Sequence, residues 1–265
     1  MRVVPVPCLS DNYAYLVISE ADNVAALVDP GEAEPMIAAV AAEGVKLVAI
    51  WATHHHPDHV GGIAGVLKAF PGIEVVGHSS DRERIPGMTL PVGDGDVVPL
   101  GALRARIIHN PGHTLGAISY VVNDDGKDQE DSAIFTGDTL FGGGCGRVFE
   151  GTTTMMADSL ARIAAEAPST RVYFGHEYTV ANLRFALAVD PEHQLTKIRA
   201  DHAAELRAAG KPTTPSTIEL ELGTNPFLRA ADPAVAAAAR AQDPQLDNDD
   251  PVGVFAALRR WKNDF

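Results

Sequence analysis

Four potential metal ligands lie within six residues of one another in the first quarter of the chain. They come directly after the apolar segment 47–51, which is predicted to be a buried strand, and they are His54, His56, Asp58 and His59. Alternate side chains of extended chain point to the same side, so His54 and His56 face together while His55 faces away. Clustered imidazoles with a carboxylate favour a site for zinc, iron or manganese.

Three later segments each combine an apolar strand, a glycine and a ligand-type residue. The ligand-type residues are His113, Asp138 and His176. Glycine allows the tight turn that brings the next side chain over the sheet edge, and strand ends of one sheet lie close together. We therefore expect these side chains to converge on the first group. Five histidines and two aspartates suffice for two metals that share a bridging carboxylate and leave room for a catalytic water.

The elements that would position these ligands alternate through the first two-thirds of the chain. Short apolar runs bounded by Gly, Pro, Asp or Asn predict strands over 3–6, 13–18, 25–28, 47–51, 74–77, 104–108, 118–122, 133–135 and 171–174. Helical patterns occur at 35–43, 60–70 and 154–166. This mixture predicts an α/β sandwich with its helices outside.

The character of the sequence changes near residue 178. Helices are predicted over 180–189, 192–209, 232–242 and 251–261. We expect a catalytic domain over 1–178 and a helical domain over 179–265. Two loops are also predicted, one over 211–227 and an acidic hairpin loop over 123–132.

Composition excludes several classes of protein. The 265 residues carry a formal net charge of −14, which argues against nucleic-acid binding. No run approaches the roughly 20 apolar residues that cross a bilayer, and the N-terminus lacks the apolar core of a signal peptide. Two cysteines, Cys8 and Cys145, make no disulfide framework. We expect a soluble cytoplasmic protein without nucleic-acid or membrane partners.

The ligand pattern resembles the metallo-β-lactamase superfamily, and within it the glyoxalase II branch, the hydroxyacylglutathione hydrolases. The similarity covers nearly the whole chain. It includes the segments 7–17, 27–31, 110–114, 135–141, 144–152, 175–179, 225–229 and 258–265. The resemblance implies an αββα sandwich of the metallo-β-lactamase type with a C-terminal α-helical domain.

The resemblance also implies a division of the ligands between two divalent ions per chain. One ion would take His54, His56 and His113. The other would take Asp58, His59 and His176, with Asp138 bridging. Zinc is the expected metal, and iron or manganese are alternatives.

The implied reaction is hydrolysis of S-D-lactoylglutathione to D-lactate and glutathione by a metal-bridged hydroxide, a step of methylglyoxal degradation. We expect the protein to be a monomer. Asp58 and Asp138 are the expected catalytic residues. The implied glutathione-binding residues are Arg147, Tyr178, Arg259 and Lys262. Phe149 departs from the family pattern, since some relatives have a substrate-contacting tyrosine there.

The sequence also allows other interpretations. Arg259 and Lys262 also suit the end of a helix, where cations interact favourably with the macrodipole. The nearest rival activities in the superfamily are a mononuclear-iron persulfide dioxygenase and a lactonase. A metal-binding or partner-binding protein without turnover is a rival of another class.

Overall fold

The computed structural model describes residues 1–124, 132–246 and 250–265. Most of the predicted acidic loop 123–132 therefore lies outside the described residues. A first sheet contains six strands in sequential order, parallel from the third strand onwards. These strands are β1 (Arg2–Cys8), β2 (Asn12–Ser19), β3 (Val24–Val28), β4 (Lys46–Trp51), β5 (Glu74–His78) and β6 (Leu90–Val92).

A second sheet faces the first and has the strand order β14-β13-β10-β9-β8-β7. Only the β10–β13 pair within it is parallel, and β11 and β12 form a separate small hairpin. The bounds are β7 (Val97–Leu100), β8 (Leu103–His109), β9 (Ile118–Asp124), β10 (Ala133–Gly137), β11 (Leu140–Phe141), β12 (Gly144–Cys145), β13 (Arg171–Phe174) and β14 (Ser216–Thr217).

Helices cover both outer faces of the paired sheets. Their bounds are α1 (Ala33–Glu43), α2 (Pro57–Val60), α3 (Ile63–Ala69), α4 (Thr153–Ala164), α5 (Thr179–Val189), α6 (Gln194–Ala208), α7 (Ile218–Thr224), α8 (Pro233–Gln242) and α9 (Pro251–Asp264). A short 3-10 helix spans Ser79–Asp81. In the parts of the chain described, no helix combines the length and the apolar character that crossing a membrane requires.

Three apolar clusters hold the four layers together. Between the sheets, Trp51 stacks on Tyr120 with ring centroids 5.1 Å apart. Outside the first sheet, Met36 of α1 and Ile63 of α3 pack on the strands. Outside the second sheet, α4, α5, α8 and α9 share one cluster with the strands. Burial of this apolar surface is the main favourable term in folding, and it confirms the predicted αββα layering.

The prediction of a loop over 211–227 is wrong, because this segment contains β14 and α7. Thr217 begins α7, and its hydroxyl accepts a hydrogen bond of 3.2 Å from the backbone of Leu220. Ile218 is buried in the cluster outside the second sheet. The proline- and threonine-rich composition concealed a capped helix that tertiary packing stabilises.

The single helix predicted over 60–70 is also corrected, because the chain forms α2 and α3 instead. Gly62 lies between them and donates a backbone hydrogen bond of 2.8 Å to Pro30. A Cβ atom at Gly62 would stand only 2.4 Å from the carbonyl carbon of Glu32. This close approach requires glycine and interrupts the helix.

The predicted boundary near residue 178 falls between β13 and α5. The later segment adds β14 to the second sheet and contributes α5, α8 and α9 to its outer layer. The division into 1–178 and 179–265 stays a prediction.

Candidate metal centre and adjoining cavity

The first group of predicted ligands begins just beyond β4. Asp29 at the end of β3 accepts hydrogen bonds from the backbone and the hydroxyl of Thr53, at 2.7 and 2.6 Å. Asp29 has φ +50°, a left-handed conformation that aspartate adopts more readily than most residues. These bonds hold Thr53 in place where the chain leaves the sheet. The backbone of the next residue, the buried His54, is therefore fixed as well.

The short helix α2 positions the rest of this group. Pro57 occupies its first turn, where the missing N–H costs nothing, and His56 precedes it as the N-cap. The backbone N–H of His59 donates to the carbonyl of His56 at 2.9 Å. This tight turn directs Asp58 and His59 towards the same space as His54 and His56.

The second sheet supplies the other three predicted ligands. His113 lies between β8 and β9, while Asp138 and His176 follow the parallel strands β10 and β13. Glycine is required at position 175, just before His176, because a Cβ atom there would stand 2.4 Å from Oδ1 of Asp138. The carboxyl ends of two parallel strands thus bring Asp138 and His176 together, as the sequence predicted.

Three imidazoles form one half of the centre. Nδ1 of His56 lies 3.1 Å from Nε2 of His54 and 3.0 Å from Nε2 of His113. The three nitrogens lie within 4.8 Å of one another, which is compatible with a single metal position.

Asp58, His59 and His176 form the other half. Oδ2 of Asp58 lies 3.4 Å from Nε2 of His176 and 3.5 Å from Nε2 of His59. Asp138 stands between the halves, because its carboxylate is 3.3 Å from both His59 and His176 and 3.5 Å from His113. The structure therefore brings all seven predicted ligands together, with Asp138 central.

Outer hydrogen bonds fix the imidazole orientations. Nδ1 of His59 donates to Asp29 at 2.9 Å, and Nδ1 of His176 donates to Asp11 at 2.9 Å. Nδ1 of His113 donates to the carbonyl oxygen of Arg147 at 2.8 Å. Since Nδ1 of each ring is engaged in this outer hydrogen bond, Nε2 is the nitrogen that faces the centre. Such partners set the tautomer and the basicity of metal-binding histidines.

The three histidines His54, His56 and His113 are uncharged, so they do not repel a cation. Burial lowers the pKa of His54 well below its ordinary value, and burial followed by repulsion from His113 lowers the pKa of His56 to about 4. Burial also lowers the pKa of His113. All three rings are therefore neutral near pH 7, as metal coordination requires.

In the half formed by Asp58, His59 and His176, the two histidines hold protons that a metal would displace. Burial opposes the charge on His59, but Asp138 and Asp29 outweigh it and raise its pKa to about 10. Burial likewise opposes the charge on His176, but hydrogen bonds with Asp138 and Asp58 raise its pKa to about 11. A divalent cation replaces this positive charge with its own, so binding releases protons.

The donor set fits divalent cations. Oδ1 of Asp138 is buried and accepts no hydrogen bond of normal geometry from the described residues. Neutral imidazole nitrogens facing one another at about 3 Å are stabilised by a cation between them. Imidazole and carboxylate ligands suit zinc and related divalent ions.

A cavity of about 560 Å³ adjoins this centre. Two predicted ligands, His113 and Asp138, line it, and the wall also includes the four predicted substrate-binding residues, namely Arg147, Tyr178, Arg259 and Lys262. The cavity is therefore lined both by predicted metal ligands and by cations of α9 and of the loop 146–152 after β12, called the β12 loop here.

The two cations of α9 that line the cavity have different environments. Arg259 is 5% exposed, and its guanidinium donates a hydrogen bond of 2.8 Å to the carbonyl oxygen of Cys145. Lys262 lies over the rings of Phe185 and Phe265, at 5.3 and 5.4 Å from their centroids. Arg259 thus supports the β12 loop, while the Lys262 ammonium is held at the cavity by aromatic faces.

Two aromatic side chains flank the centre. Tyr178 stacks on His176 with centroids 4.8 Å apart, and burial followed by nearby carboxylates raises the pKa of its hydroxyl to about 12. The hydroxyl is therefore a hydrogen-bond donor at neutral pH. Phe149 is 61% exposed and stands 5.1 Å from the ring of His113.

Sequence reasoning assigned no role to three polar residues at the centre. Asp29 and Asp11 orient His59 and His176, and Nδ2 of Asn12 donates to Oδ2 of Asp58 at 3.0 Å. Asp29 follows an apolar strand in the same way as the predicted ligands do, so this signal was available. Asp11 and Asn12 approach the centre only through tertiary folding.

Comparison with known proteins gives the class to which this fold and centre belong. Residues 10–176 match the metallo-beta-lactamase superfamily, and the chain is a member of it. Residues 177–265 match the hydroxyacylglutathione hydrolase C-terminus. The chain is 47% identical to the hydroxyacylglutathione hydrolase of Rhodopseudomonas palustris, over 97% of this chain and 96% of that protein. It is 44% identical to that of Vibrio cholerae over the full length of both. The chain belongs to the hydroxyacylglutathione hydrolase family, which confirms the resemblance inferred from sequence.

Solved structures share the fold at lower identity. ETHE1 from Myxococcus xanthus superposes with a TM-score of 0.65 and 25% identity, over 99% of this chain and 98% of that one. TTHA1623 in a di-iron-bound form superposes with a TM-score of 0.58 and 26% identity, over 85% of this chain and 100% of that one. The BLEG-1 B3 metallo-beta-lactamase, at 24% identity and a TM-score of 0.64, shares the fold.

Proposed function

We propose that this protein hydrolyses S-D-lactoylglutathione to D-lactate and glutathione, the activity that the names of its relatives indicate. The observation that carries the proposal is the continuity of the cavity. The ligand residues His113 and Asp138 and the cations Arg147 and Lys262 line one and the same cavity. A thioester could therefore reach the centre while the carboxylates of glutathione meet cations.

The proposal includes two divalent ions per chain. His54, His56 and His113 would hold one, while Asp58, His59 and His176 would hold the other, and Asp138 would bridge them. Two of the three groups of closely spaced ligand atoms support this division, as does the relative solved in a di-iron-bound form. The third group, Asp29, His54 and His59, contains Asp29, whose carboxylate is already engaged by Thr53 and His59. Zinc is the proposed metal, with iron and manganese as alternatives.

When bound, such ions lower the pKa of water towards about 7 and polarise a carbonyl oxygen. The protein residues supply orientation. Asp29 and Asp11 keep His59 and His176 in one tautomer, and Asn12 restricts the carboxylate of Asp58. The sulfur departs as the thiolate of glutathione, whose conjugate acid has a pKa of about 8.5 by analogy with cysteine, so no strong general acid is needed.

Substrate recognition is assigned to the cavity wall. Arg147 and Lys262 would attract the glutathione carboxylates against the net charge of −14. The protonated hydroxyl of Tyr178 would donate a hydrogen bond, and Arg259 would act through the β12 loop. We propose that a single chain of domains 1–178 and 179–265 suffices, because residues of both segments of one chain line the cavity.

Thioester hydrolysis across a series of acyl-glutathiones, with metal content measured on the same sample, tests the proposal. We expect about two ions per chain, loss of activity on chelation, and a strong preference for lactoylglutathione over a small thioester without the glutathione carboxylates. Full activity with one iron per chain would favour the dioxygenase interpretation. Absence of thioester hydrolysis by metal-loaded protein would refute the proposed function.

A further inference from the structure

The carboxylate of Glu150 joins two loops beside the metal centre. It accepts a hydrogen bond of 2.9 Å from the backbone N–H of Leu115, two residues after His113. It also accepts a hydrogen bond of 2.5 Å from the guanidinium of Arg84. A charge-assisted pair and a backbone bond thus meet on one side chain, which is only 26% exposed.

The segment that carries Glu150 encloses His113 from two sides. The backbone N–H groups of Phe149 and Glu150 both donate to the carbonyl oxygen of His113, each at 3.3 Å. The carbonyl oxygen of Arg147 accepts from Nδ1 of His113 at 2.8 Å. The position of segment 147–150 therefore determines how the His113 ring faces the centre.

Arg84 is itself fixed by groups other than Glu150. Its guanidinium lies 3.6 Å from Oδ1 of the buried Asp81 and also donates to Nε2 of His55. Nδ1 of His55 in turn donates to Asp81 at 3.2 Å. Glu150 is thus connected through Arg84 to Asp81 and His55, and His55 lies in the loop that carries His54 and His56.

We propose that Glu150 is a positioning residue that holds segment 147–150 against His113 and thereby sets both metal retention and substrate affinity. The proposal rests on the proposed function, because Arg147 of this segment is the assigned substrate cation. It assigns to Arg84 the role of anchoring the Glu150 carboxylate. Neither residue lines the cavity, so both act through the backbone that they hold.

Three variants separate the contributions. Glu150→Gln removes the charge but keeps an oxygen for the Leu115 N–H, and Glu150→Ala removes both interactions. Arg84→Met removes the ion pair together with the contacts of Arg84 to His55 and Asp81, and leaves the Leu115 hydrogen bond in place. Glu166→Gln is the matched control. The Glu166 carboxylate is 17% exposed and pairs with Arg106 at 2.8 Å, and Arg106 is about as exposed as Arg84. An effect of ion-pair loss in general would appear in this control as well.

Amide hydrogen exchange and metal retention give readouts that do not depend on activity. In Glu150→Ala we expect faster exchange at the amides of Leu115, Phe149 and position 150 by roughly tenfold or more, and partial metal loss during dialysis. We expect kcat/KM for lactoylglutathione to fall roughly tenfold, mainly through KM, with smaller losses in Glu150→Gln and Arg84→Met. Glu166→Gln should match wild type.

The proposal is overturned if Glu150→Ala retains wild-type amide exchange and metal content, or if Glu166→Gln changes them equally. If Glu150→Ala does not fold, Glu150→Gln and Arg84→Met decide by the same criteria. Failure of the wild-type protein to hydrolyse lactoylglutathione would refute the proposed function. The exchange and metal measurements would still test the role of Glu150 in that case.

Discussion

The carbonyl oxygen of Arg147 accepts a hydrogen bond of 2.8 Å from Nδ1 of His113, so one residue serves two parts of the site. Its backbone orients a predicted metal ligand, while its exposed side chain lines the cavity. The two roles are separable, because a side-chain substitution leaves the carbonyl in place.

Arg147→Ala should therefore weaken substrate binding without metal loss. Hydrogen bonds to charged groups contribute about 1.5–3 kcal/mol, and solvent screening reduces this for an exposed side chain. We expect a several-fold to roughly tenfold rise in KM for lactoylglutathione and nearly unchanged kcat. Steady-state kinetics with metal analysis provide the measurement. Loss of metal, or equal loss on a small thioester without glutathione, would contradict the assignment.

Asp138→Ala should disable the centre, because this carboxylate lies within 3.5 Å of ligands from both halves. We expect kcat to fall by roughly 100-fold or more, together with reduced metal content. Cys145→Ser is the comparison, since the buried thiol of Cys145 lines the same cavity without belonging to the ligand groups. That variant should stay within several-fold of wild type. Equal losses in the two variants would show that the roles are wrongly divided.

Lys262→Ala and Arg259→Ala should differ, although the sequence places both in one basic tail. Arg259 is buried and donates to the carbonyl of Cys145, so its loss leaves an unpaired acceptor and lowers stability by about 1–3 kcal/mol. Lys262 makes only ring contacts among those described. Its loss should raise KM with little change in melting temperature. The double variant should lose roughly tenfold in kcat/KM for lactoylglutathione.

Thermal unfolding of both single variants, alongside kinetics, checks this distinction. An identical melting temperature in the two variants would contradict the structural role of Arg259. If Lys262→Ala lost equally on glutathione and non-glutathione thioesters, the assignment of Lys262 to glutathione would be wrong.

The metal centre was largely predictable from local patterns. His54 and His56 follow an apolar strand at a spacing of two, and Asp138 and His176 each follow a strand and a glycine. Strand ends and tight turns are encoded by neighbouring residues, and parallel pairing of β10 with β13 brings two of them together.

Other features depend on contacts between distant segments. Asp11 meets His176 across 165 residues, and Glu150 meets Arg84 across 66. The buried position of Arg259 under the Cys145 carbonyl likewise required the packing of α9 on the second sheet. A single sequence gives no signal for such pairs, because neither member has a distinctive local pattern.

Glu221→Gln should strongly destabilise the protein, because the Glu221 carboxylate is fully buried and accepts four hydrogen bonds. Its Oε1 accepts from Arg199 and Ser216, while its Oε2 accepts from the backbone of Gly143 at 2.8 Å and from Asn225 at 3.1 Å. Neutralising one member leaves the Arg199 guanidinium buried without its counter-charge, which costs about 3–5 kcal/mol.

Urea unfolding measures this loss, with Glu219→Gln as a control on the exposed side of α7. We expect the control to stay within about 0.5 kcal/mol of wild type. The double variant Arg199→Met, Glu221→Gln should lose less than the sum of the single variants, since no unpaired buried charge remains. Additive losses would show that the two residues act independently. A destabilisation of Glu221→Gln no larger than that of the control would show that the β11–β12 turn at Gly143 does not depend on this buried pair.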